Sequence, residues 1–221
     1  MQYSTFAAID IGSYDVILEI FEISKKQGIR SVDKICHRME LGKDTYTLGK
    51  IRPEMEEELC RVLADFVRIM EGYRVDDYRA AASSAISEAS NSLYVLGKIH
   101  QLTGLSVTVL SNSEQRFLSY KALAAMEDNF NKIIEKGTAI LDLDGGSFQI
   151  SLFDKDALVT TQNIRMGSLR IRERLAGIQS ETEHYEEMVE ELIWNEVSSF
   201  KKMYLKDRKI ENIMLIGDVF T

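Results

Sequence analysis

No apolar run in this 221-residue sequence is long enough to cross a bilayer, and no charged segment precedes an apolar one at the N-terminus. Neither a membrane span nor a secretory leader is expected, and the expected location is the cytoplasm. Cysteine is scarce: Cys36 and Cys60 are far apart and lack a CxxC context, so a disulfide framework or zinc site is not expected and buried or idle thiols are. Positive charge is the minority, with 27 Lys and Arg against 35 Asp and Glu and a net charge of −8. General nucleic-acid binding wants a basic face and is not expected. A long polyanion would need basic residues converging on one channel. Arg165, Arg170, Arg172 and Arg174 are candidates for that, and equally a solvated helix face. The single proline, Pro53, stands where it favours the first turn of a helix.

What the chain does have is two similar glycine-bearing loops, Asp10-Ile11-Gly12-Ser13 and Asp142-Leu143-Asp144-Gly145-Gly146-Ser147. Each follows one apolar run and precedes another, which reads as strand, tight turn, strand, twice. Glycine lets a backbone approach a phosphate, and successive N–H groups in such a turn form an anion nest. An aspartate before the turn can hold a hydrated divalent cation. One such hairpin alone is an ordinary hairpin; its duplication is a fold-level signal.

Around these loops the sequence predicts strands over 3–9, 16–23 and 29–36, a glycine-containing loop from Leu41 to Lys50, and a helix from Pro53 stopped by Gly72. A strand over 78–82, a helix over 92–102 capped by Ser90 or Asn91, and a strand over 107–110 follow. Ser111 and Glu114 form a capping-box pattern opening a helix to Met126. The second unit restarts with strands over 138–143, 149–154 and 157–163, then a short helix from Gly167-Ser168, a long helix over 181–205 and a strand over 213–216. The expected division is residues 1–128 and 129–221. The second unit has no helix to cover its last strand, so the chain reads as the front of a longer polypeptide or a unit completed by a partner chain.

In register over nearly the whole chain, these blocks resemble the exopolyphosphatase / guanosine pentaphosphate phosphohydrolase (Ppx/GppA) family. Ala8 to Ser13 is similar to its first phosphate loop, and Ala82 to Asn91 to its A-T-x-A-x-R-x-A-x-N block. Leu110 to Tyr120 is similar to I-S-G-x-E-E-A-x-L-x-Y, Asp142 to Ser147 to D-I-G-G-G-S, and Met166 to Arg170 to the G-S-V-R-L segment. The resemblance implies an α/β fold of two actin-like (ribonuclease H-like) domains with mixed five-stranded sheets, the second truncated here. It implies Mg²⁺-assisted removal of a terminal phosphate from polyphosphate or guanosine pentaphosphate in a cleft between the domains. On that reading Asp10, Asp142 and Asp144 would hold metal, and Gly12, Ser13, Gly145, Gly146, Ser147 and Arg170 would bind phosphate. The catalytic positions would be Glu114, Gln115 and Gln149. Polyphosphate and guanosine penta- or tetraphosphate are the expected partners, no membrane or nucleic acid is, and a homodimer is one assembly such a chain could form.

The departures from the family pattern fall on the chemistry. Gln115 aligns with the catalytic glutamate; it can hold a water but cannot take its proton at neutral pH. Glu114 beside it has either a capping role or a catalytic one. In the second loop Asp144 replaces a glycine, Phe148 a threonine and Gln149 a glutamate; in the first, Tyr14, Asp15 and Ile17 follow, without the family's arginine. Ser87 and Glu40 stand where arginines are usual, and Ile216 to Phe220 replaces a glycine-rich loop. Loss of a positioned base costs about 10²- to 10⁴-fold. Loss of a phosphate-neutralising arginine can cost roughly 10³- to 10⁵-fold. The sequence therefore supports two functions, a phosphatase with altered residues and a non-catalytic binding or regulatory protein of the same fold. A kinase or ATPase of the actin-like class is less well supported, because the blocks are those of the phosphatases.

Overall fold

The computed structural model describes residues 3–127, 129–177, 184–206 and 208–217, and the chain divides into two compact units, Met1–Asn112 and Ser113–Thr221. The division falls at the first residue of the helix over Asn112–Met126, which precedes the expected boundary at 128/129, so nearly all of that helix groups with the second unit.

In the first unit, β1 (Ser4–Ile11), β2 (Asp15–Ser24) and β3 (Gly28–Arg38) form an antiparallel meander. β4 (Asp77–Ala82) and β5 (Val107–Val109) extend it in parallel, giving the order β3-β2-β1-β4-β5. The alternation of Ala7, Ile9 and Ile11 with Val16, Leu18 and Ile20 buries one period-2 face of β1 and β2. Onto this core pack α2 (Pro53–Tyr73), through residues such as Leu59, Leu63, Phe66 and Met70, and α4 (Ser92–Thr103), through Val95 and Ile99. Pro53 sits in the first turn of α2 as expected. Gly72 does not stop it. The helix continues through Tyr73, and Arg74 caps it at φ 53°, donating its N–H to Met70 and Glu71.

Two short helices of this unit are not expected from the sequence. α1 (Leu41–Leu48) occupies the segment read as a loop, and α3 (Ser84–Ser87) follows β4. α1 starts at Glu40 in a left-handed conformation with no side-chain cap, and tertiary bonds hold it: Gly42 N–H donates to Ser13 O at 2.9 Å and Thr45 Oγ1 to Ala85 O at 2.7 Å. Asp44, fully buried, accepts from the backbone N and Nε of Arg52 at 3.0 and 2.9 Å. Asn91 does not cap α4 with its side chain; its amide bonds both Ile51 N and Ile51 O, and Glu56, tying the start of α2 to that of α4.

The second unit repeats the plan. β6 (Thr138–Leu143), β7 (Phe148–Asp154) and β8 (Ala157–Ile164) are an antiparallel meander, and β9 (Asn212–Ile216) runs parallel to β6. The order is β8-β7-β6-β9, so this sheet has four strands among the described residues rather than five. α8 (Tyr185–Tyr204) covers one face through Phe200 against Ala139, Ile150 and Leu152; residues 181–183, where the sequence starts this helix, lie outside the described residues. α5 (Asn112–Met126) and α6 (Phe130–Ile134) cover the other, where Tyr120, Leu123, Phe130 and Ile134 pack on Ile140 and Phe153. Cover on both faces is why β7 is buried from Phe148 to Phe153 although Gln149 and Ser151 alternate there with apolar residues. α7 (Ser168–Leu175) follows β8.

Candidate functional site

The first glycine turn joins β1 to β2. Gly12 N–H donates to Asp15 O at 3.0 Å, and a Cβ on Gly12 would lie 3.0 Å from that oxygen, so the turn is closed tightly. Asp10 lies one residue before the end of β1, beside Ile17 on β2 and Ala81 on β4. Ser13 is 1% exposed, and its hydroxyl lies 2.7 Å from Tyr46 Oη and 3.2 Å from Ser84 Oγ; the latter two are 2.8 Å apart. Ser13 is thus one corner of a hydroxyl triangle drawn from the first turn, α1 and α3. Next to it the buried Ser83 Oγ has no hydrogen-bond partner among the described residues. Arg38 stacks over the Tyr14 ring at 4.3 Å and lies 3.7 Å from Glu40, so the Glu40 position has an arginine as its neighbour.

The second turn joins β6 to β7. Asp144 N–H donates to Ser147 O at 3.0 Å, closing a four-residue turn. The first amides of α7 donate back to its carbonyls: Ser168 N to Asp144 O at 3.2 Å, and Leu169 and Arg170 N to Gly145 O at 3.0 and 3.1 Å. Arg170 Nε adds a bond to Gly146 O at 2.9 Å. Donors that a helix leaves unmade at its N-terminus are met here by the turn. The turn's own amides, at Gly145, Gly146 and Ser147, take no backbone acceptor among the described residues. Gly167 is required beneath it, because a Cβ there would lie 2.3 Å from Asp144 O and 2.4 Å from Ser147 N. Of the arginines grouped in the sequence, Arg170 reaches the turn, Arg172 pairs with Glu173 at 3.0 Å, and Arg165 and Arg174 are exposed.

Beside the turn, α5 lies over a row of polar residues. Asp142, Gln149 and Asn163 are direct neighbours across β6, β7 and β8, with Ser151 and Thr161 one row further from the turn. Ser119 Oγ donates to Asp142 Oδ2 at 3.1 Å, Tyr120 Oη to Ser151 Oγ at 2.5 Å, and Arg116 Nη1 to Thr161 Oγ1 at 3.2 Å. Gln115, Arg116, Ser119 and Tyr120 are the less exposed residues of this stretch of α5, as i, i+1, i+4 and i+5 spacing requires of one helix face. Glu114 is exposed, one residue before Gln115 in the first turn of α5. Gln149 is 8% exposed. Arg116, Ser119 and Tyr120 are not among the site residues expected from the sequence; they share a face with Gln115, and only the strands beneath α5 give that face its polar partners.

Two sheets of the same plan, each with a glycine turn at the end of its first strand, define an actin-like α/β protein, and solved structures bear this out. An exopolyphosphatase from Cytophaga hutchinsonii superposes with a TM-score of 0.80 at 19% identity, over 97% of this chain and 66% of its own. The Aquifex aeolicus Ppx/GppA family member superposes with a TM-score of 0.73 at 23% identity, over 100% of this chain and 68% of its own. Residues 19–221 match the Ppx/GppA phosphatase family, and the chain belongs to it. Among curated relatives, exopolyphosphatase 1 of Mycobacterium leprae is 25% identical over 65% of this chain, and a bifunctional 3-dehydroquinate synthase/phosphatase of Fusobacterium nucleatum 22% identical over 76%. The chain spans 41% and 26% of the length of these two relatives. Among the described residues no helix is long and apolar enough to cross a membrane.

Proposed function

We propose that the chain binds the terminal phosphates of polyphosphate or guanosine pentaphosphate and hydrolyses the terminal phosphoanhydride bond slowly, because a carboxamide stands where its family has a carboxylate base. The observation that carries this reading is the polar row beside the second turn: Ser119 on Asp142, Gln149 next to Asp142, and the turn amides of Gly145 to Ser147 at the row's end. Phosphoryl transfer asks little covalent chemistry of a protein and leans on positioning and charge neutralisation. In this reading the turn amides hold phosphoryl oxygens, Arg170 braces the turn through Gly146 O, and the Gln115 carboxamide orients a water without deprotonating it.

Among the described residues no three His, Cys, Asp or Glu side chains form a metal cage. Mg²⁺ does not require one, since it is usually held by one or two carboxylates, waters and substrate phosphates. The hard oxygen donors Asp142 and Asp144 fit that pattern, with Asp10 in the equivalent place at the end of β1. Bound there, Mg²⁺ would neutralise charge on the phosphate chain.

The two glutamines favour a second reading, a phosphate-binding regulator without turnover. One experiment separates the two: phosphate release from polyphosphate and guanosine pentaphosphate with Mg²⁺, for the native chain and Gln115→Glu. Slow native release that rises tenfold or more in the variant supports the hydrolase. Binding of tripolyphosphate with no release from the native chain supports the regulator, and no binding at all refutes both.

A further inference from the structure

Arg116 is a cation held by neutral groups. Its guanidinium donates to Thr161 Oγ1 at 3.2 Å and to Ser113 Oγ at 3.0 Å, and among the described residues no carboxylate lies within ion-pair distance of it. The side chain is half-buried on the inward face of α5. A guanidinium partly withdrawn from water and held only by hydroxyls keeps its full charge, so an anion reaching its remaining donors is favoured. Two of the five guanidinium N–H donors are used, which leaves three. The two hydroxyls come from different elements, α5 and β8, and fix the fork in place without neutralising it.

Its location gives the fork a purpose. Gln115 precedes it, and Ser119, one helical turn on, holds Asp142. Thr161 lies two residues from Asn163, the β8 member of the polar row that ends at the second turn. Planar forks suit phosphoryl oxygens, which accept two parallel N–H bonds.

We propose that Arg116 is a substrate-contacting residue that binds terminal phosphoryl oxygens of a linear phosphoanhydride. This assignment rests on the reading of the site as a phosphate site. It is tested on the full chain by calorimetric titration with tripolyphosphate at fixed ionic strength, for the native protein, Arg116→Gln and Arg116→Lys, with melting curves with and without the ligand. Arg116→Gln keeps an amide donor and much of the volume, so the fold persists. The expected result is affinity at least tenfold weaker in Arg116→Gln, partial recovery in Arg116→Lys, an unliganded melting midpoint as high as the native one, and a smaller rise on adding ligand. Native binding with undiminished affinity in Arg116→Gln overturns the assignment and leaves the phosphate site standing. A lowered unliganded midpoint with undiminished affinity makes Arg116 a structural brace and also overturns it. Absence of native binding overturns the phosphate site and the assignment together.

Discussion

Gly167→Ala puts the dependence of the second turn on α7 to a direct test. Gly167 has φ −74° and ψ 166°, values any residue adopts, so an effect of alanine cannot come from backbone preference. It must come from space. The added methyl would stand 2.3 Å from Asp144 O and 2.4 Å from both Gly145 C and Ser147 N. Non-bonded carbon contacts are comfortable at about 3.5 Å, so turn and helix must separate by roughly 1 Å. All three obstacles are main-chain atoms, which cannot rotate aside. Separation stretches the bonds from Ser168, Leu169 and Arg170 to the turn carbonyls, now 3.2, 3.0 and 3.1 Å. Overpacking costs about 1–3 kcal/mol and each weakened hydrogen bond up to about 1, so a loss of roughly 2–4 kcal/mol is expected. The assay is urea unfolding followed by circular dichroism, with tripolyphosphate titration alongside. Gly97→Ala is the control: it lies within α4, where an added methyl would meet nothing within 4 Å, and alanine there should stabilise by up to about 1 kcal/mol. A Gly167→Ala protein as stable as the native one, with unchanged ligand affinity, would refute the argument that α7 holds the turn.

Gln149→Glu should not restore the family enzyme by itself. It sets a nearly buried carboxyl directly beside Asp142, which raises the carboxyl's pKa above its unfolded value. The variant should therefore match native stability at low pH and fall below it as pH rises past the ordinary glutamate range, measured by urea midpoints between pH 4 and 8. The two thiols should separate kinetically. Burial pushes the Cys60 thiol pKa up, whereas Cys36 is exposed, so at pH 8 a disulfide reagent should titrate one thiol in the native chain and two in urea; two fast native thiols would contradict the packing of α2.

The duplicated plan was legible because its signals are local: period-2 apolar runs on either side of Gly12 and Gly145, and the helical spacing of Leu59, Leu63 and Phe66. α1 was not. Its segment carries Gly42, two threonines and a left-handed Glu40 at its start, all poor local signals, and it is helical because Ser13 O, Ala85 O and Arg52 hold it from elsewhere in the unit. Of the two expected caps, Ser90 and Asn91, it is Asn91 that stands at the N-cap of α4, but its side chain is drawn to Ile51 and Glu56 instead of to the helix amides. At the site, the aspartates and glycines stood out by residue type. Arg116 and Ser119 did not, because their meaning depends on which strand lies under α5. The burial of Gln149 likewise follows from its register with Asp142 and Asn163, which no single-strand pattern encodes.

The bonds that cap α7 also make the hairpin and that helix one mechanical body. The tip between β6 and β7 has no freedom of its own while Ser168, Leu169 and Arg170 remain fastened to it. Any displacement of α7 against the sheet must first stretch those three bonds.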